Sequence, residues 1–101
     1  MENLLKHKHL LIRAEVKNPP KTEEHVIKWM NNLIAKINMT TLAGPYASKV
    51  SKKGNKGISG VAIIDTSHIG IHTWDETDPA LIQLDVYSCK EFNKIDVLSC
   101  I

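Results

Sequence analysis

The sequence of 101 residues predicts an α+β fold, a two-layer sandwich in which helices cover one face of a mainly antiparallel sheet. Three observations predict it. Five segments carry the apolar pattern of strands, two segments carry helical spacing, and short polar stretches join the later strands. Short turns connect antiparallel neighbours, so the order β-α-β-β-β-β-α indicates a mainly antiparallel sheet.

The first half of the chain predicts a strand, a helix and a second strand. Residues 9–16, HLLIRAEV, alternate between apolar and polar side chains, which is typical of a half-buried strand. After a Pro-Pro break, apolar residues recur at helical spacing over residues 22–37, and the threonine that begins this range is suited to cap the helix. Residues 39–50 predict a strand that is interrupted or ended near Gly44-Pro45.

The second half of the chain predicts three strands and a final helix. The polar, glycine-containing stretch 51–57 predicts a solvated loop, and DETDP at 75–79 predicts a turn. The strands are assigned to 58–65, 67–74 and 80–89. Residues 90–101 begin like a helix, and no strand follows them. One face of the sheet then needs cover, which a second copy of the chain would supply.

The composition argues against several classes of function. A net charge of +2 is too small a bias to indicate a nucleic-acid partner, and no run approaches the roughly 18 apolar residues of a membrane span. The opening nine residues do not resemble a signal peptide, and Cys89 and Cys100 lack the spacing of a metal site. We therefore expect a single domain over residues 1–101 in a soluble, cytoplasmic and reduced protein.

The stretch DTSHIGIHTW, residues 65–74, holds the first candidates for chemistry. On one interpretation it is only a strand with polar residues on its outer face. Alternation along a strand would separate Ser67 from His72, so the two can cooperate only if Ser67 lies in a turn before the strand. No Gly-x-Ser-x-Gly elbow is present, which argues against a hydrolase triad. The other histidines are too scattered to predict a metal site: His7, His9 and His25.

A longer stretch resembles a known family. Residues 57–76 read GISGVAIIDTSHIGIHTWDE, and LDVYSC follows at 84–89. These motifs, in this order, resemble the short bacterial and archaeal form of S-adenosylmethionine decarboxylase, a proenzyme that makes its own cofactor. The resemblance runs from about His7 to Phe92, and it implies that family's sandwich fold.

The resemblance implies that the chain cleaves itself between Thr66 and Ser67. Ser67 would attack the Thr66 carbonyl to give an ester, and elimination with hydrolysis would leave a pyruvoyl group in place of the serine. The family's processing residues match Ser59 and His72, and its proton-donating thiol matches Cys89, which the pattern alone would read as a buried, inert thiol. The pyruvoyl carbonyl would form a Schiff base with the substrate and accept the electrons released with CO2, without a metal.

The resemblance also implies the substrate contacts. Glu76 matches a glutamate expected near the ribose hydroxyls, Trp74 would suit a sulfonium ion, and Tyr46 is the stand-in for an aromatic that stacks on adenine. Three features depart from the family pattern. The loop before Gly57 is lysine-rich and has no clear match to that aromatic. Thr66 stands where the family usually has glutamate, and the chain ends where the family continues to another strand.

The implied function is decarboxylation of S-adenosylmethionine for polyamine (spermidine) synthesis by a homodimer. Two alternatives stay open. The same cofactor could act on ornithine or arginine, or the chain could be a non-catalytic, unprocessed relative that binds a ligand or a partner subunit. The presence together of the four residues assigned to processing and proton donation favours an enzyme, because a purely structural role needs none of them.

Overall fold

The computed structural model describes residues 7–101, which form five strands and two helices in the predicted order. The elements are β1 Lys8–Val16, α1 Glu23–Lys36, β2 Thr41–Val50, β3 Gly57–Ile64, β4 Ser67–Trp74, β5 Ala80–Ser88 and α2 Lys94–Leu98. The α+β class, the element order and the antiparallel sheet are therefore confirmed.

The five strands form one sheet in the order β1-β5-β4-β3-β2, and every neighbouring pair is antiparallel. The strands β2 to β5 follow one another as hairpins. The first strand instead pairs with the last, so β1 and β2 lie at opposite edges of the sheet. The connection between them contains α1 and crosses from one edge of the sheet to the other.

Side chains alternate between a buried and an open face along the strands. The core consists of apolar residues from α1 and from the inner face of the sheet, among them Met30, Leu33, Ile64, Ile69 and Val86. The opposite face of the sheet is open and carries large apolar side chains that are about half to two-thirds exposed: Leu11, Tyr46, Val61 and Ile63. The candidate residues divide between these two faces.

The start of α1 is fixed by the predicted cap. Thr22 has extended backbone angles, and its hydroxyl accepts a hydrogen bond of 3.0 Å from the His25 amide. Glu23 and Glu24 follow in the first turn, where their charge favours the positive end of the helix dipole. Asn38, with a φ of 60°, follows the helix and ends it.

One element differs from the sequence prediction, and another decides between two predicted outcomes. The final helix spans only Lys94–Leu98, because Phe92 is buried in the core and its carbonyl accepts a hydrogen bond of 2.6 Å from the Lys8 ammonium. Asn93 then caps the short helix. The second strand is interrupted near Gly44-Pro45, as predicted, but does not end there: it continues through a shift of register, which the φ of +90° at Gly44 accommodates.

Across residues 7–101 no helix is both long and apolar enough to cross a membrane. The expectation that no signal peptide opens the chain concerns residues that lie mostly outside the described range.

The close approach of α1 to β3 generates a first prediction. A Cβ atom at Gly60 would lie 2.7 Å from Val26 Cγ1 and 2.8 Å from Met30 Sδ, whereas a Cβ at Gly70 would have no heavy atom closer than 3.8 Å. We expect Gly60→Ala to lower the free energy of unfolding by about 1–3 kcal/mol through overpacking. Gly70→Ala, the matched control, should change it little. Urea denaturation measures both, and equal effects would contradict the prediction.

Candidate functional site

The turn between β3 and β4 consists of Asp65 and Thr66 and is held from both sides. The Asp65 amide donates to the Thr40 carbonyl at 2.8 Å, and the Asp65 carboxylate accepts from the Thr40 amide at 3.3 Å. On the other side, the Cys89 amide donates to the Thr66 carbonyl at 3.0 Å. The peptide that joins Thr66 to Ser67 therefore lies in a fixed position.

Ser67 is the first residue of β4, as the strand predicted over 67–74 has it, so it does not lie in the turn that cooperation with His72 within one chain would require. It pairs with Ile64 on β3 and with Ser88 on β5. A two-residue turn lets the strands pair again immediately, which takes Ser67 into the ladder. Its side chain shares the helix-covered face of the sheet with Ile69.

Ser59 and His72 form a pair on the open face. They stand directly opposite each other across β3 and β4, with the serine Oγ 2.9 Å from the histidine Nδ1. The His72 ring also stacks on Trp74, with ring centroids 5.9 Å apart. A hydroxyl and an imidazole at this distance can exchange a proton, which is the property that acid-base catalysis requires.

Ser67 and His72 do not meet within one chain. Five residues of strand place them about 16 Å apart along β4, at roughly 3.3 Å per residue. Their side chains also point to opposite faces of the sheet. The structure thus leaves two separate groups, Thr66–Ser67 at the turn and Ser59–His72 on the open face.

Cys89 belongs to the turn group. It follows Ser88, the cross-strand neighbour of Ser67, and its amide is the one that binds the Thr66 carbonyl. The thiol is free and partly buried, rather than fully buried in the core.

Glu76 is bonded to the lysine-rich loop, residues 51–56, between β2 and β3. Its carboxylate accepts from the amide of Lys56 at 3.1 Å and from the amide of Gly54 at 3.2 Å. These two backbone hydrogen bonds, with the nearby Lys56 charge, lower the pKa of Glu76 below its ordinary value of 4.5. Its role towards substrate stays a prediction, but here the carboxylate holds a loop.

The other two expected substrate contacts differ in placement. The Trp74 indole N–H donates to the Asn55 side chain at 2.8 Å, so Trp74 also anchors the loop. Tyr46 is 62% exposed on the open face and lines the same shallow depression, of about 390 Å³, as Ser59 and His72. Of the three, Tyr46 alone lines that depression, whereas Trp74 stacks on His72 and both Trp74 and Glu76 bond to the loop.

Sequence patterns did not indicate a cluster on the open face near the β1 edge. His9 Nε2 lies 2.6 Å from an oxygen of Asp85, and His68 Nε2 lies 3.8 Å from the same oxygen. The Tyr87 ring packs against both histidines. Alternation places each residue on the open face, but only the sheet order brings β1 beside β5. In the part of the chain that the structure describes, no three His, Cys, Asp or Glu side chains form a group that could hold a metal ion.

Comparison with known proteins supports one family. The family model described as S-adenosylmethionine decarboxylase matches residues 9–101. The chain is 31% identical over 75 residues to the S-adenosylmethionine decarboxylase proenzyme of Archaeoglobus fulgidus, covering 73% of this chain and 61% of that relative. A proenzyme of the same name from Acetivibrio thermocellus is 41% identical, over 59% of this chain and 50% of its own length. One from Pyrococcus horikoshii is 49% identical, over 45% of this chain and 31% of its own length. The chain thus spans about three-fifths or less of these relatives.

The contacts of Glu76 generate a second prediction. A lowered folded pKa means that the ionised carboxylate stabilises the loop above about pH 4.5, and that this contribution is lost as pH falls through the lowered value. In NMR spectra, the amide signals of Gly54 and Lys56 should titrate together with a midpoint below 4.5. Glu76→Gln should abolish that titration, while the buried Ala62 amide should not report it. A midpoint at or above 4.5 would contradict the prediction.

Proposed function

Because the chain belongs to the S-adenosylmethionine decarboxylase family, we propose that it is a proenzyme that cleaves itself between Thr66 and Ser67 and then decarboxylates S-adenosylmethionine. The observation that carries the proposal is the hydrogen bond of 3.0 Å from the Cys89 amide to the Thr66 carbonyl. It immobilises the very carbonyl that the neighbouring serine hydroxyl would attack.

Self-cleavage begins as an isomerisation. A bond forms between Ser67 Oγ and the Thr66 carbonyl carbon, the peptide C–N bond breaks, and the hydroxyl proton moves to the nitrogen. The carbonyl oxygen becomes negatively charged during this attack, and the Cys89 amide already donates to it, which favours the charged state. Loss of the Cα proton of Ser67 then expels Thr66 as a carboxylate, and water removes the nitrogen as ammonia.

The group left at position 67 is pyruvoyl, whose carbonyl supplies the electron acceptor that decarboxylation needs. The residues around the turn fit such a group. Cys89 follows the cross-strand neighbour of Ser67, so a partly buried thiol lies on the adjacent strand. We assign Cys89 the role of returning a proton to the substrate carbon after CO2 leaves.

A second copy of the chain supplies Ser59 and His72 in this proposal. The pair is about 16 Å from Ser67 along β4, so it cannot act on the Ser67 of its own chain. If it takes part in processing, it must reach the turn of another copy. The homodimer is thus needed for the chemistry as well as for stability.

The open face of the sheet is the surface on which the second copy would lie. Leu11 and Tyr46 are each more than 60% exposed there, and Val61 and Ile63 are about half exposed. Stacking two such faces would bury these side chains between the two sheets and leave the helices of each copy outside.

The relatives' name supports S-adenosylmethionine as the substrate, and we propose polyamine synthesis as the place of the reaction, as the family resemblance implies. We propose that Tyr46 stacks on the adenine, which its exposure beside the Ser59–His72 pair supports. We assign Glu76 to the ribose and Trp74 to the sulfonium; both now also bond to the loop. We expect the reaction in the cytoplasm, where the free thiol of Cys89 stays reduced.

The intact mass of the purified chain tests self-cleavage. We expect two fragments, Met1–Thr66 and a pyruvoyl-blocked piece that begins at position 67, in place of one chain of 11.3 kDa. Ser67→Ala should stay whole, because no hydroxyl remains to attack. An uncleaved wild-type chain would favour the non-catalytic alternative. If the protein cleaves but releases no CO2 from S-adenosylmethionine, ornithine and arginine are the next substrates to test.

Complementation tests the shared site. His72→Ala keeps the reactive serine, and Ser67→Ala keeps the Ser59–His72 pair, so each variant alone should stay uncleaved. Co-expressed, the His72→Ala chain should regain cleavage in mixed dimers, while the Ser67→Ala chain stays whole. Mass spectrometry of differently tagged chains separates the two. Absence of any rescue, with mixed dimers shown to form, would contradict the arrangement.

A further inference from the structure

Ser88 is a polar side chain in the interior with no exposed surface at all. Among residues 7–101, only Ser88 and Thr73 are polar and fully or almost fully buried. Ser88 pairs with Ser67 across β4 and β5, and both side chains lie on the helix-covered face. A buried hydroxyl has to form hydrogen bonds, so its partners indicate what it holds in place.

The Ser88 hydroxyl links two segments. Its Oγ donates to the Thr66 hydroxyl at 2.8 Å and accepts from the Lys90 amide at 2.9 Å. The Thr66 hydroxyl in turn donates to the Met39 sulfur at 3.2 Å. Each hydroxyl thus donates once and accepts once, and the Thr66 side chain is held between β5 and the segment before β2.

Thr66 is therefore attached at two points to two consecutive residues. Ser88 holds its side chain and Cys89 holds its carbonyl. A threonine branches at Cβ and has one short rotatable bond, so fixing its hydroxyl also restricts its backbone. Together the two bonds fix the plane of the peptide that precedes Ser67.

We infer that Ser88 is a positioning residue for self-cleavage: its hydroxyl keeps Thr66 oriented so that the Thr66 carbonyl stays on the Cys89 amide. The inference rests on the proposed function, since it concerns the same peptide bond. It assigns a purpose to the threonine that stands where the family pattern has glutamate. Here the hydroxyl of Thr66 is the group that Ser88, on β5, binds to hold the turn.

The rate of self-cleavage tests this role. Each variant is made by cell-free translation and its intact mass is followed with time, with hydroxylamine added in parallel to trap the ester at Thr66. We expect Ser88→Ala and Thr66→Val each to slow both cleavage and trapping about tenfold, as loss of one buried hydrogen bond would. The double variant should be no slower than either single one, because both remove the same contact. Ser88→Thr should restore most of the rate.

A matched control separates positioning from general stability. Thr73 is as buried as Ser88 and its hydroxyl bonds to the Ile58 amide at 2.9 Å, at the far end of β4 from the turn. Thr73→Val should lower stability in urea yet leave the cleavage rate unchanged. Wild-type rates in Ser88→Ala and Thr66→Val, or slowing no greater than that of Thr73→Val, would overturn the inference.

The two proposals can fail separately. A wild-type chain that never cleaves would overturn self-processing itself, and the role of Ser88 with it. A wild-type chain that cleaves while Thr66→Val keeps its full rate would overturn only the role of Ser88. If Ser88→Ala does not fold, Thr66→Val decides the matter, because it removes the same hydrogen bond from the less buried side.

Discussion

The antiparallel register of β3, β4 and β5 determines where every candidate residue can act. It sets Ile64, Ser67 and Ser88 in one row across the three strands, and Ser59 opposite His72 in another. Because side chains alternate along each strand, the first row falls on the face that α1 covers and the second on the open face. A shift of one residue in the register of β4 would move its side chains to the opposite faces of the sheet and separate the members of both groups.

This separation gives the open face a chemical role. A sheet with one uncovered apolar face is expected to associate, but burial alone does not say why particular polar residues should lie on that face. Ser59 and His72 lie there as a hydrogen-bonded pair, away from any reactive carbonyl of their own chain. In the proposed dimer, association brings them to the carbonyl on which they act. Processing would then depend on assembly, so an isolated chain would stay unreactive.

Local patterns were enough to predict most of the fold. Alternation located the strands, and Thr22 marked the start of α1, since both signals depend only on neighbouring residues. The final helix was placed too early because Phe92 reads as part of a helical stripe, whereas burial of its ring and a bond from Lys8 hold it outside the helix. That bond comes from a residue 84 positions away in the sequence, which no local pattern contains.

The same limit applies to the site. Ser59, Ser67, His72 and Cys89 were identified from motifs, but their distribution over two faces depends on register. The environment of Glu76 depends on how the lysine-rich loop folds back: two amides of that loop take both oxygens of the carboxylate and lower its pKa. A glutamate in a motif indicates a capacity to accept hydrogen bonds, while the tertiary structure decides from which donors.

What sets Ser67 apart from an ordinary serine is the carbonyl before it. A serine hydroxyl is a weak nucleophile, and peptide bonds next to serines are stable in almost all proteins. The reactivity proposed here therefore has to come from the electrophile. The Cys89 amide binds the Thr66 carbonyl, and the buried Ser88 hydroxyl binds the Thr66 side chain. Two hydrogen bonds to Thr40 hold the preceding residue, Asp65. Such a held turn loses little further freedom when the hydroxyl attacks, so part of the barrier is already removed in the folded chain. The rate of self-cleavage would therefore depend as much on the Ser88-Cys89 dipeptide as on the serine that reacts.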